Sequence, residues 1–385
     1  MANRTHDVVV IGSGSVGIPS AWAMARSGLK VLVLDRLASP GQGSNKTAIG
    51  GIRATHSEPA KIQVCLRSLE IASTWEETYG DDIDWRNGGY SFVAYDDREA
   101  GILKGLIEAQ QTGGLNITWR DREDLLEIAP ALKREGLIGG TFSPGDGMCS
   151  PLLLGHAMYQ QACRERAEFR FRESVSGIDV EGARVRAVIT DKGRYETPIV
   201  INAAGAWANE VGAMVGLEHP IQPDSHEGGI TEPVAPFLGP MIVDIKPTKR
   251  AASCYFFQLA TGQIVFALTP KPILPGFNCR ETSEFLPIVA KRMIQLIPRL
   301  SGLRVRRTWR GLYPMSPDGA PLVGWSSEVG GYLMAIGMCG HGFMLGPGLG
   351  ELVDRLVRDD LATDDRTILD SLSPYRSFES QAALK

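Results

Sequence analysis

The stretch Asp7 to Arg36, DVVVIGSGSVGIPSAWAMARSGLKVLVLDR, decides the fold. Val8 to Ile11 is an unbroken run of β-branched residues, the pattern of a parallel strand buried on both faces. Gly12, Gly14 and Gly17, with Ser15 and Val16 between the last two, form the G-x-G-x-x-G turn. The spacing predicts a helix over Ile18 to Ser27 and a second strand over Lys30 to Leu34, followed by Asp35 and Arg36. The three glycines serve separate ends. The first allows the tight turn, the second lets the backbone approach a pyrophosphate, and the third lets helix and strand pack closely. The helix start presents free N–H groups and a positive dipole end to the phosphates. Asp35 stands where a carboxylate accepts hydrogen bonds from a ribose. The unit binds a dinucleotide, and it does not choose between NAD and FAD.

The rest of the chain is read around that unit. Its 385 residues are too many for one ordinary core and enough for two domains. Hydrophobic residues make up 43% and charged ones 22%, a globular composition, and a net charge of -4 argues against nucleic acid or an anionic membrane surface. No apolar run has the length of a transmembrane helix, and the first strand starts too early to leave room for a signal peptide, so the expected location is cytoplasmic. Six scattered cysteines form no C-x-x-C pair, and the six histidines lack metal-ligand spacing; no metal site is expected.

Downstream, the Gly- and Ser-rich LASPGQGSNKTAIGGIR reads as a ligand-contacting loop. Helices are expected over Pro59 to Tyr79, Arg98 to Gln111, Asp121 to Ala129 and Leu152 to Ala167, and strands over Tyr90 to Tyr95 and Phe169 to Val175. Gly177 to Gly193 reads as a hairpin or meander. IVINAA, Ile199 to Ala204, is a second buried strand, followed by Gly205 and a helix from Trp207 to Val215. Pro220 to Val305 is proline-dense and strand-rich, with strands at Gly229 to Glu232, Met241 to Asp244, Cys254 to Leu259 and Gln263 to Ala267 and one helix at Glu284 to Ile297. From Tyr332 the opening pattern returns, with an apolar strand to Gly337, then CGHG, then a helix from Phe343 to Arg358. The expected class is α/β with two domains. A discontinuous Rossmann-like dinucleotide domain takes residues 1–80, 150–219 and 318–385; a largely antiparallel β-sheet substrate domain takes 81–149 and 220–317.

Three glycine turns, at Gly12 to Gly17, Gly205 and Gly340 to Gly342, each set a helix start beside a strand end. Ligands bind outside the carboxyl ends of parallel strands, so all three can converge on one long cofactor. FAD has that reach.

The glycine motif with Asp35, then GSNKTAIGGIR, VINAAGAWA, PIQPDSHEGGITEP, WRGLYPMSPDGAPLVG and GMCGHGFMLGPG, taken together and in this order, resemble the D-amino-acid-oxidase-like FAD oxidoreductases. Within that family the chain looks most like the flavin subunits of L-proline dehydrogenase, heterotetrameric sarcosine oxidase and opine or hydroxyproline dehydrogenases. The resemblance implies that Ser44, Asn45, Lys46, Thr47, Gly50 and Gly51 cover the pyrophosphate and line the flavin. It implies that the Val175 backbone meets the adenine, that Ala203, Ala204, Gly205 and Trp207 lie along the cofactor, and that Gly340, His341, Gly342, Phe343 and Met344 start a helix aimed at it. A helix N-terminus there stabilises the negative charge a reduced flavin gathers. Gly311 stands where monomeric oxidases tether the flavin through cysteine, so non-covalent FAD is expected.

For substrate, Arg53 and His56 follow the flavin loop, with Arg53 at a basic position of the family's carboxylate clamp. Met344 replaces a carboxylate-binding lysine of many relatives, and Tyr313 an arginine of glycine oxidase-like enzymes. Tyr255, Gln258, His226, Glu227 and Arg310 are further pocket candidates, and Lys271 is a candidate residue over the flavin. The expected reaction is hydride transfer from the C–H of a neutral amine to flavin N5, giving an imine, with His56 or Tyr255 assisting deprotonation and Arg53 holding the substrate. The resemblance also implies partner subunits or a homo-oligomer, and in some complexes an FMN at a subunit interface; Pro151 at the place of a flavin-bearing histidine makes any FMN non-covalent. Competing expectations are a 2-hydroxy-acid dehydrogenase, a flavin-bearing assembly or electron-relay subunit, and a NAD enzyme.

Overall fold

Val8–Ile11 lies inside a six-stranded sheet of order Leu322–Trp325, Tyr332–Ile336, Val200–Asn202, Val8–Ile11, Val31–Asp35, Glu168–Phe171. Every pairing is parallel except the first, where Leu322–Trp325 turns back on Tyr332–Ile336. The computed structural model describes residues 5–378. All of Val8–Ile11 and Tyr332–Ile336 is buried, which is why both read as unbroken apolar runs. Helices Gly17–Arg26, Pro59–Ser73, Pro151–Arg164 and Gly342–Val357 pack together on this sheet. Gly346 makes the close approach of Gly342–Val357 possible: a Cβ there would lie 1.8 Å from the Ser15 carbonyl oxygen. That contact brings the start of the late helix beside the first glycine turn.

The second sheet has eight strands in the order Val305–Met315, Gln222–Thr231, Ile264–Pro270, Ala251–Gln258, Met241–Asp244, Tyr90–Ala94, Gly139–Ser143, Thr118–Asp121. It is antiparallel except where Met241–Asp244 runs parallel to Tyr90–Ala94. Alternation along the strands divides the faces. One face buries Phe256, Phe266 and Leu268 under helix Phe285–Leu296. The other carries Tyr90, Phe92, Val243 and Phe257 with Tyr255 and Trp309 beside them. Registers place Tyr255, Ala267, Gly228 and Trp309 in one row across this second face.

Several expected elements are redrawn. The helix expected over Pro59 to Tyr79 breaks at Thr74 into Pro59–Ser73 and Trp75–Tyr79. The strand expected over Phe169 to Val175 ends at Phe171; Arg172 turns the chain with φ of 53°, and Val175–Glu181 opens a separate three-stranded meander with Arg184–Thr190 and Arg194–Glu196. The helix expected from Trp207 to Val215 is a 3-10 turn, Gly205–Trp207, and a short helix, Ala208–Ala213. Val305–Met315, eleven residues long, lies beyond the expected strands, as do Thr118–Asp121 and Gly139–Ser143. Val305–Met315 and Thr118–Asp121 are the two edges of their sheet, where charges and a proline such as Pro314 are tolerated and blur the alternation.

Candidate active site

The three glycine turns meet at one cavity of about 250 Å³. Gly12, with φ of 108°, passes so close to the second turn that a Cβ would lie 2.5 Å from the Ala203 oxygen, while a Cβ at Gly17 would lie 1.9 Å from the Gly12 oxygen. A Cβ at Gly14 would meet nothing within 4 Å, so this glycine opens onto the cavity. Ser15, Val16, Ala203, Ala204, Gly205 and Trp207 line the cavity; so do Gly340, Gly342 and Phe343 from the third turn.

Asp35 is held before any ligand arrives. Its Oδ2 accepts from Ser13 N at 2.8 Å and Ser13 Oγ at 2.6 Å, and its Oδ1 accepts from Leu37 N at 2.8 Å. Oδ2 is thereby filled, and Oδ1 keeps a lone pair for a further donor. Arg36 and Val175 also line this end. The Arg36 guanidinium lies 4.3 Å from the Trp207 ring, and Trp207 stacks on Phe277 at 5.7 Å.

Ser44, Asn45 and Thr47 also line the wall. Ser44 Oγ donates to the Leu312 carbonyl at 2.8 Å, Ser15 Oγ to Asn45 Oδ1 at 3.0 Å, and Trp309 Nε1 to the Thr47 carbonyl at 2.9 Å. A Cβ at Gly311 would lie 2.0 Å from Thr47 Oγ1. Other expected members stand apart from the wall. Lys46 is exposed, and Lys271, proposed over the flavin, is exposed as well. Gly50 and Gly51 sit behind the cavity, packed against the Cys149 carbonyl and the Tyr90 hydroxyl. Met344 packs on the helical core.

Outside the cavity lining lies a buried polar cluster. Arg53 is 6% exposed and Lys61, His56 and Asp146 are fully buried. The Arg53 guanidinium donates to the Thr55 carbonyl, approaches His56 Nδ1 at 3.4 Å and lies 5.5 Å from the Phe92 ring. His56 Nε2 is 3.5 Å from Cys65 Sγ, and its ring meets His341 edge-on at 5.1 Å. Burial, then the Arg53 and Lys61 charges, hold His56 well below the usual imidazole range. The same causes hold His341 low, with burial first. Both imidazoles are therefore neutral at pH 7, and with Nδ1 facing a guanidinium donor, the His56 proton sits on Nε2. Asp146 accepts from Ala54 N at 2.8 Å and from Thr55 Oγ1 at 2.5 Å, pinning the segment that carries Arg53 and His56. Burial raises its carboxyl to about 6 in spite of those bonds.

On the sheet side, Tyr255 Oη is 3.3 Å from Tyr313 Oη, and the Tyr313 ring stacks on His226 at 3.7 Å. His226 Nε2 lies 3.2 Å from Asp224 Oδ2. Burial raises both tyrosines, so each keeps its proton at pH 7. The Nδ1 atoms of His226 and His341 are buried with no hydrogen-bond partner among the described residues. The other candidates hold the surrounding backbone. Gln258 ties the Phe237 and Leu238 amides to the Val234, Ala235 and Gly262 carbonyls, Glu227 holds Thr282, and Arg310 binds Ser225 Oγ and the Arg280 carbonyl.

The sequence reading missed Ser13, Glu173, Leu312 and Met338, which also line the cavity. Ser13 lies inside the glycine motif at a position whose type the motif leaves open. The others become neighbours only through the fold.

The profile of the FAD dependent oxidoreductase family (DAO) matches residues 7–356. The hydrogen cyanide synthase subunit HcnC of Pseudomonas aeruginosa is 27% identical over 93% of this chain and 94% of its own. The crystal structure of L-proline dehydrogenase from P. horikoshii superposes with a TM-score of 0.90 at 32% identity, over 97% of this chain and 98% of that one. Glycine oxidase from Geobacillus kaustophilus superposes with a TM-score of 0.86 at 25% identity, over 97% and 100%.

Proposed function

The chain belongs to the family of FAD-dependent oxidoreductases, and from that premise we propose that it oxidises the C–N bond of a small secondary amine, imino acid or amino acid to an imine. The cavity suits the cofactor: an open glycine at the phosphate position, a prepared carboxylate at the ribose position, and a helix start in the same lining. We assign residues 1–80, 150–219 and 318–385 to holding FAD and residues 81–149 and 220–317 to the substrate. Bound flavin supplies the hydride acceptor. The reading has the cofactor non-covalent: Gly311 offers no sulfur to tether it.

One observation carries the substrate class. Arg53 is a buried cation whose hydrogen-bond partners are the uncharged Thr55 carbonyl and His56 Nδ1. The Asp146 carboxyl feels the Arg53 charge but does not hydrogen-bond it, and a buried guanidinium to which no described carboxylate is hydrogen-bonded suits a substrate carboxylate, which it binds with paired N–H donors. His56 accepts from Arg53 and so acts as a positioning residue. Neutral His56 and His341 add no charge to repel an amine, and the protonated Tyr255–Tyr313 pair offers hydroxyls to it. The apolar Phe92, Val243 and Phe257 exclude water, which favours the neutral amine that loses hydride. The N-terminus of Gly342–Val357 stabilises negative charge at its end of the cavity.

The reading includes partner subunits: HcnC is by name a subunit. We infer that this chain is the catalytic one. Any FMN at a subunit boundary is non-covalent, because Pro151 offers no linking atom.

Anaerobic titration of the purified flavoprotein with proline, hydroxyproline, sarcosine, glycine, opines and 2-hydroxy acids tests the proposal. Bleaching of the flavin band by an amine or imino acid supports it. Bleaching by a hydroxy acid alone replaces it with alcohol oxidation, and a flavin that none of them reduces points to the relay role.

A further inference from the structure

Glu173 lines the cofactor cavity yet is only 4% exposed. Its backbone N–H donates to the Asp35 carbonyl at 3.0 Å, so it stands directly beside the ribose carboxylate. Two hydroxyls converge on one of its oxygens: Thr190 Oγ1 and Tyr195 Oη both donate to Oε1 at 2.7 Å. The carboxylate is thereby locked in orientation by the meander, and Oε2 receives neither hydroxyl. Glu173 lines a cavity whose neighbouring wall is Val175, two residues on, with Val211, Met214 and Trp207 also in the lining. A flat base beyond the ribose fits such a wall, and the edge it offers a carboxylate must carry a donor.

We propose that Glu173 Oε2 accepts a hydrogen bond from the exocyclic amino group of the cofactor's adenine, making Glu173 the residue that reads the base. Asp35 serves the ribose and the open face of Gly14 the pyrophosphate; with the Val175 backbone beside the base, the amino group still has a second N–H for the Glu173 carboxylate. The assignment concerns the nucleotide alone and holds whichever amine the enzyme oxidises.

The test is cofactor affinity, measured by quenching of flavin fluorescence as apoprotein is titrated. FAD is compared with its hypoxanthine analogue, whose ring carries a carbonyl oxygen in place of the amino group. Wild-type protein is expected to bind FAD about 10- to 100-fold more tightly, the worth of a hydrogen bond to a charged group. In Glu173→Gln the amide oxygen keeps the two hydroxyls and the amide NH2 faces the base. FAD binding then weakens by about 10-fold or more, and the analogue binds as well as FAD or better. A structural role alone weakens both dinucleotides equally, and that result overturns the proposal. Should Glu173→Gln fail to fold, Thr190→Val leaves the carboxylate but removes one of its anchors; FAD weakened with the analogue unchanged supports the assignment, and equal affinity of wild-type protein for the two dinucleotides refutes it.

Discussion

The ring of Tyr313 occupies the space that a side chain at Gly340 would need: a Cβ at Gly340 would lie 2.0 Å from Tyr313 Cε1. Gly340 also has φ of 83°, a conformation that side chains resist. The late helix start and the sheet tyrosine are thus fitted to each other, and Tyr313 in turn carries Tyr255. Gly340→Ala is expected to destabilise the protein by about 1–3 kcal/mol and to push Tyr313 off its place, raising KM for the amine. Denaturant unfolding and steady-state kinetics check both parts. An unchanged KM beside the stability loss would uncouple Tyr313 from substrate.

Arg53 is the second test point. Arg53→Met removes the cation but keeps bulk against Phe92, so the Kd of a carboxylate-bearing amine for the oxidised enzyme should rise about 100-fold, the scale of a lost charge-assisted contact. Flavin content should stay as in wild type. Arg53→Lys should fall between the two, because an ammonium cannot give paired donors. Reductive half-reactions in a stopped-flow instrument separate Kd from the hydride-transfer rate.

Asp146 predicts a pH dependence of stability. Its carboxyl is raised from 3.8 to about 6 in the folded chain, with burial the main cause. The native state therefore holds a proton that the unfolded state releases, and this group costs stability above pH 6 that is recovered as pH falls toward 4. The cost above pH 6 is roughly 3 kcal/mol, at about 1.4 kcal/mol per pH unit. Asp146→Asn cannot titrate. The unfolding free energy of wild type minus that of Asp146→Asn should therefore fall as pH rises from 4 to 7. A difference that rises instead would refute the burial account.

How much of this was legible in the sequence follows from burial. The central strands Val8–Ile11 and Tyr332–Ile336 carry their apolar pattern openly because both faces are covered. The edge strand Val305–Met315 did not, since Arg306, Arg307 and Pro314 are compatible with one unpaired side. The glycine motif named its own cavity residues because each glycine answers a local backbone demand. Tyr255 is brought near Arg53 and His56 from a distant segment, and the resemblance rather than the spacing singled the three out. Neither spacing nor resemblance pointed to Ser13, Glu173 or the occupied nitrogens of His56, since these depend on which atom faces which.

The arrangement around His56 makes the last prediction. Burial comes first, and the Arg53 and Lys61 charges add to it, in holding this imidazole well below its ordinary value of 6.5. The unfolded chain takes up a proton there that the native chain refuses, so stability from this site is lost as pH falls through 6.5, by up to about 1.4 kcal/mol per pH unit. That slope opposes the one from Asp146. His56→Gln keeps an acceptor for the Arg53 guanidinium and does not titrate, so its stability should fall less than that of wild type between pH 6.5 and pH 5, while KM changes only a few-fold. His56→Phe removes the acceptor, and KM should rise by about 10-fold or more with the Arg53 fork unseated. Equal KM values for the two variants would mean that His56 does not position Arg53; a wild-type stability that falls no faster with acid than that of His56→Gln would mean that the imidazole is charged in the folded chain.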